Sequence, residues 1–99
     1  MKYEIKEDAG RTALLLREQM TFSDRQVFDG LVPGAVKPGK NIVIDMTHLE
    51  YMDSAGLGML LTLRDHAEKA RLKVTIRSPQ GDVKELLRLS CFDTLFPFE

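Results

Sequence analysis

Hydrophobic spacing divides the chain into segments of alternating and helical period. Tyr3 and Ile5 alternate with polar neighbours, Asp8-Ala9-Gly10 supplies turn chemistry, and Thr12 to Leu16 reads as a second strand. A β-hairpin is therefore expected at the start. Ser23-Asp24-Arg25-Gln26 has the spacing of a capping box, with Phe22 before the cap and Val27 placed to close a hydrophobic staple. The helix begun there is expected to be short, because Pro33-Gly34 and Pro38-Gly39 punctuate the stretch before Asn41. About ten residues there read as loop or a weak extra turn.

Ile42-Val43-Ile44 does not alternate, which suits a strand covered on both faces. From about Ser54 to Ala70 the period is helical. Leu57, Leu60, Leu61, Leu63 and Ala67 share one broad side, and Thr62, Asp65, His66 and Lys69 the other. Leu72 to Ile76 alternates as a further strand. Ser78-Pro79 supplies an N-cap followed by proline in the first turn, and Val83, Leu86, Leu87 and Ser90 take the i, i+3, i+4, i+7 places of a last helix. The aromatic tail from Phe92 to Phe98 is expected to fold back on the core, at most as a short edge strand, since Pro97 cannot donate to a ladder. The order β-β-α-β-α-β-α predicts one α/β domain over residues 1–99. Its architecture is a sandwich in which a mixed sheet carries helices mainly on one side.

Charge and cysteine content narrow the class. Fourteen Lys and Arg face fifteen Asp and Glu, the net charge is −1, and the basic residues are scattered, so no field exists to hold nucleic acid. The single cysteine, Cys91, excludes an internal disulfide and suits a reducing compartment. No apolar run approaches the ~18 residues that span a bilayer, and Met1-Lys2-Tyr3-Glu4 begins no signal peptide. The expectation is a cytoplasmic protein with no direct membrane insertion. With one Cys, two separated His and no phosphate-binding loop, neither metal nor other cofactor is expected.

The most informative segment is Met52-Asp53-Ser54-Ala55-Gly56-Leu57-Gly58, which opens the long helical stretch. It puts one hydroxyl, Ser54, at a strand-to-helix corner with an acid beside it. An Asp-Ser pair before a helix is by itself an N-cap signal. Two helical glycines, each costing about 1 kcal/mol relative to alanine, break a local rule beside that hydroxyl, and such breaks mark functional sites. Unpaired N–H groups at a helix start favour an anion. A phosphate there adds about −1.5 to −2 charges. Its gain from the helix dipole and its repulsion from Asp53 are each about 1 kcal/mol or less and nearly cancel. Its effect would then fall on whatever docks over the corner. Gly56 and Gly58 read either as a surface another backbone approaches or as close packing of helix on sheet.

Asp45 is either a strand-end cap or part of an acidic patch with Asp53, the structural role being favoured. His66, twelve residues beyond Ser54 on one helix, lies about 18 Å away along the axis and cannot serve it as a base. His48, in the loop before Ser54, is close enough in sequence to approach it. Neither a Gly-x-Ser-x-Gly elbow nor a third triad member accompanies it. Met46, Met52 and Met59 read as core filler, with Met59 alternatively part of an adaptable docking surface.

The string Val43-Ile44-Asp45-Met46, a six-residue loop, then Asp53-Ser54-Ala55-Gly56-Leu57-Gly58 resembles the signature of STAS domains. Within that group it is most similar to bacterial anti-sigma-factor antagonists. Ser78-Pro79 with Val83 through Ser90 resembles the family's last helix, and the similarity is good from about Ile42 to Phe92. The resemblance implies a phosphorylation switch rather than an enzyme. Ser54 matches the serine phosphorylated by a partner serine kinase, commonly one that doubles as the anti-sigma factor, and Asp53 the acid beside it. The unphosphorylated form captures the partner and a metal-dependent serine phosphatase resets the switch. The corner near Gln19, Met20 and Thr21 helps contact the partner in the family, together with Asp53 through Gly58. Three departures stand out. The family often shows Gly-Glu-Leu-Asp where this chain reads Glu18-Gln19-Met20-Thr21, the Pro- and Gly-rich link shortens the first helix, and Cys91 stands where glycine is frequent. Two other classes compete with the switch: a STAS subunit scaffolding a transporter or lipid-transport assembly without phosphorylation, and a small serine hydrolase.

Overall fold

In the computed structural model, which describes residues 1–99, the chain runs β1 (Lys2–Asp8), β2 (Arg11–Met20), a 3₁₀ turn (Phe22–Asp24), α1 (Arg25–Val36), β3 (Ile42–Met52), α2 (Ser54–Lys69), β4 (Val74–Arg77), α3 (Gly81–Leu89) and a second 3₁₀ turn (Phe92–Thr94). The sheet order is β1-β2-β3-β4, with β1 antiparallel to β2 and the remaining pairs parallel. The expected hairpin and mixed sheet are thus present. The tail folds back as expected: Phe92 and Phe96 are buried, and Phe98 makes a single parallel bridge to Ile76 at the sheet edge.

Alternation places Leu14, Leu16, Ile42, Ile44 and Ile76 on one face of the sheet. They join a single apolar cluster with Phe28 and Leu31 of α1, Met59, Leu60, Leu63 and Ala67 of α2, and Val83 and Leu87 of α3. All three helices therefore cover that face. The other face carries charge. Arg77 bonds Asp8 at 2.6 Å and Glu99 at 3.1 Å and lies 3.7 Å from Asp45, while Arg11 grips Glu99 with two bonds of 2.9 and 3.0 Å.

Several local expectations are corrected. Helix α1 does not stop before Pro33 but runs through it to Val36. Proline removes one N–H bond to the preceding turn, yet Phe28, Leu31, Val32 and Ala35 are buried on the sheet, and that packing outweighs one lost bond. Beyond it, the Lys37 N–H donates to the Pro33 carbonyl at 2.9 Å. The start of this helical region is also displaced. Asp24 accepts from the Thr21 N–H at 2.8 Å and its hydroxyl at 3.2 Å, so the box begins at Thr21 and not Ser23. Phe22 and Val27 are exposed, and no staple joins them.

The six residues before Asp53, read as a loop, are the second half of β3. Their burial recurs every third residue, at Met46, Leu49 and Met52. Pairing with β2 explains it. Between the pairs Leu15↔Asp45 and Arg17↔His48, and again between Glu18↔Leu49 and Gln19↔Tyr51, β3 advances one residue more than β2. Two bulges convert a period of two into a period of three. Similarly, α3 starts at Gly81 after Gln80, because Ser78 has φ +51° and Pro79 is tucked into the core, so neither forms a first turn. On α2, Leu61 lies outside the buried stripe, half-exposed.

Candidate functional site

The bulged end of β3 delivers the chain to the corner where α2 begins. Asp53 is the N-cap: its Oδ1 accepts from the N–H groups of Ala55 and Gly56 at 3.0 and 3.2 Å. Its Oδ2 accepts from the Phe22 N–H at 3.1 Å, and its own N–H donates to the Met20 carbonyl at 3.3 Å. One carboxylate thus closes the helix start and pins the end of β2 to it. Ser54 comes next as the first helical residue, exposed and relieved of any capping task. The amides expected to wait for an anion are therefore already occupied by Asp53, which corrects the view of an open helix terminus.

Gly56 is buried and answers the packing alternative. A Cβ there would lie 2.5 Å from Met52 Cγ and 3.1 Å from the Met20 carbonyl oxygen, so the helix rests on the strand ends through this gap. Gly58 differs: a Cβ would meet only the Arg25 guanidinium, at 3.5 Å. Leu57 and Ala55 are half-buried, and Met20 is sealed in the core. Of the residues assigned to the partner surface, Asp53, Ser54, Ala55, Leu57, Gly58, Gln19 and Thr21 reach the surface at this corner, whereas Met20 and Gly56 support it from beneath.

Met46, Met52 and Met59 are all buried, so Met59 is core and no docking surface. His48 lies within β3, about 16 Å of strand before Asp53, and does not approach Ser54. His66 is exposed on α2, its Nδ1 2.9 Å from the Thr62 carbonyl. Ser54 lines none of the surface hollows; the largest, about 400 Å³, is bordered by Thr47 to Glu50 and Gln80 to Asp82.

Asp45 sits eight residues up the strand and shares no patch with Asp53. Burial works against its ionisation, but the Thr47 hydroxyl at 2.6 Å, the Thr47 N–H and the Arg77 charge overcome that and hold its pKa below the usual value. Asp24, behind the corner, is likewise lowered: desolvation opposes its charge, and the chain's terminal ammonium at 2.7 Å with the Thr21 bonds prevails.

Sequence reasoning missed the exposure of two aromatics. Phe22 is 78% exposed although its N–H is fixed to Asp53, and Tyr51, two residues before Asp53 on β3, is 49% exposed. The signal was available in Thr21-x-x-Asp24, which puts Phe22 inside a first turn rather than before a cap. Arg25, the third residue overlooked, pairs with Asp29 on its own helix at 3.3 Å and reaches Thr62 of α2 at 3.4 Å.

Comparison with known proteins bears on the family and the fold. The family model of the STAS domain matches residues 2–99. A STAS-domain containing protein of Pseudomonas aeruginosa strain UCBPP-PA14 is 31% identical over 90 residues, covering 90% of this chain and 88% of that one. Among solved structures, an anti-sigma factor antagonist from Mycobacterium paratuberculosis superposes with TM-score 0.84 at 15% identity, covering 98% of this chain and 83% of the other. SpoIIAA, an anti-sigma factor antagonist, in its unphosphorylated form gives TM-score 0.73 at 13% identity, covering 99% and 87%. At these identities the two structures share the fold.

Proposed function

The chain belongs to the STAS family, and on that footing we propose that it is a protein-binding module switched by phosphorylation of Ser54. The unphosphorylated form captures a regulatory serine kinase or anti-sigma factor. Phosphorylation releases that partner, and a metal-dependent serine phosphatase restores the capturing form. The observation that carries this reading is the division of labour at the corner. Asp53 does the structural capping, so the adjacent Ser54 hydroxyl is exposed and dispensable to the fold. Beside it, exposed Phe22, whose N–H is held by Asp53, and the half-buried Ala55 and Leu57 supply apolar area that a docked protein would cover. A phosphate set among them must be desolvated when the partner docks, which costs a few kcal/mol.

Calorimetric titration of the cognate serine kinase tests the reading. Ser54→Ala should fold as stably as wild type and bind with the same affinity. Ser54→Glu, which carries one of the phosphate's charges on a longer stem, should bind about 100-fold more weakly, equivalent to ~2.7 kcal/mol. Equal affinities for all three proteins would sink the switch and leave the scaffold reading, in which Ser54 has no regulatory part.

A further inference from the structure

We infer that Arg25 is the internal receiver for a phosphoryl group on Ser54, a salt bridge between the start of α1 and the start of α2 that forms only in the phosphorylated protein. The inference rests on the reading of Ser54 as the modified residue.

The helix start offers a phosphate little. Asp53 has taken the N–H groups of Ala55 and Gly56, so about two negative charges on Ser54 would stand next to a carboxylate. Asp24 and Asp29 add like charge from the 3₁₀ turn and α1, and the terminal ammonium is engaged by Asp24 at 2.7 Å. Arg25 is a cation held against the same face of α2. Its guanidinium lies across α2, with Nη2 3.4 Å from Thr62 Oγ1 and Nη1 3.5 Å from the point a Gly58 Cβ would occupy. Gly58 is four residues after Ser54, on the same face of the helix, where side chains stand about 5–6 Å apart. The missing side chain at Gly58 leaves an open lane from the guanidinium to Ser54.

Arg25 is also free to move along it. The side chain is half-exposed, and its bonds to Asp29 and Thr62, at 3.3 and 3.4 Å, lie at the long end for an ionic contact. A phosphate, with its higher charge and fork-matching oxygens, competes well against one carboxylate and one hydroxyl. Transfer of the guanidinium would strip Asp29 and Thr62 of their partner. Modification would then alter the α1–α2 surface as well as the corner itself.

The test uses full-length protein carrying phosphoserine at residue 54, installed by genetic code expansion so that no kinase is needed. The second ionisation of the phosphate, near pH 6 in the free amino acid, is tracked by ³¹P NMR titration. Arg25 favours the dianion while Asp53, Asp24 and Asp29 oppose it. The midpoint in the parent protein should therefore lie about 0.5 pH unit below that of Arg25→Gln, with Arg25→Lys between them. Coincident midpoints for the parent and Arg25→Gln would overturn the inference. Partner release is scored separately. A partner indifferent to Ser54 defeats the switch while leaving the ³¹P shift in place, and a partner released by phosphate without the shift defeats only the role of Arg25.

Discussion

Glu18 and Cys91, two positions at which the chain departs from the STAS pattern it resembles, both have left-handed backbones, φ +68° and +58°. Glu18 lies at the second bulge of the β2–β3 pairing, and Cys91 follows the Ser90 cap of α3 and leads into the last 3₁₀ turn. An L-residue with a side chain is strained there by about 1–2 kcal/mol, and glycine is not. Both side chains are exposed, so little packing is lost on truncation. Cys91→Gly and Glu18→Gly should each stabilise the fold by about 0.5–1 kcal/mol after the entropy of glycine in the unfolded chain is counted. Thermal unfolding should show a rise of a few degrees for each. An unchanged or lower midpoint for both would mean that local bonds repay the strain. The same scale separates Asp53 from Ser54. Adjacent in sequence and both capable of capping, they are told apart only by which oxygen meets the Ala55 and Gly56 amides.

Helix α1 shows how an element survives a local rule against it. Pro33 sits on its exposed side and forgoes the N–H bond that would reach the Asp29 carbonyl. Pro33→Ala should restore that bond without touching the core. Its gain is bounded by the ~3 kcal/mol penalty of an interior proline and reduced by the greater freedom of the unfolded alanine chain, leaving about 1–2 kcal/mol. Chemical denaturation would show it as a higher midpoint with an unchanged slope. A loss of stability would instead mean that the fixed backbone angle of Pro33 is what lets Leu31, Val32 and Ala35 reach the sheet together. Strand β3 makes the complementary case. Its second half reads as loop because the bulges destroy alternation, yet those bulges set Met52 and Asp53 where α2 must begin.

Across the whole molecule, the face of the sheet away from the helices is knit by charge. The hydrogen bonds from Arg11 and Arg77 hold the Glu99 side chain down from 4.5 to about 2. A carboxylate with a depressed folded-state pKa stabilises the fold above its unfolded value and loses that contribution as pH falls through the folded one. The window for Glu99 is therefore pH 4.5 down to about 2. Urea unfolding of wild type and Glu99→Gln should differ at neutral pH, with the gap closing through this window. The group is solvent-exposed, so raised salt should shrink the neutral-pH gap. A gap independent of pH would assign the effect of Glu99 to packing of the tail rather than to its charge.

Periodicity alone determined the element order, the mixed sheet, the helices on one side and the fold-back of the aromatic tail. These depend on burying apolar residues at spacings of two or 3.6, and such spacing is written locally. The start of α2 at Asp53-Ser54 was legible as well, since Asp and Ser before a helical run are the usual capping residues. Tertiary structure decided the rest. Whether Pro33 ends a helix depends on how much of α1 the sheet buries. Whether Met46 to Met52 forms a strand depends on extra residues accommodated against β2. That Asp53 is tied to Phe22 while it caps α2, and that Arg25 reaches over Gly58, depend on contacts between segments more than thirty residues apart. Local sequence carries no record of those distances, because they are set by the packing of α1 against α2 over a shared core.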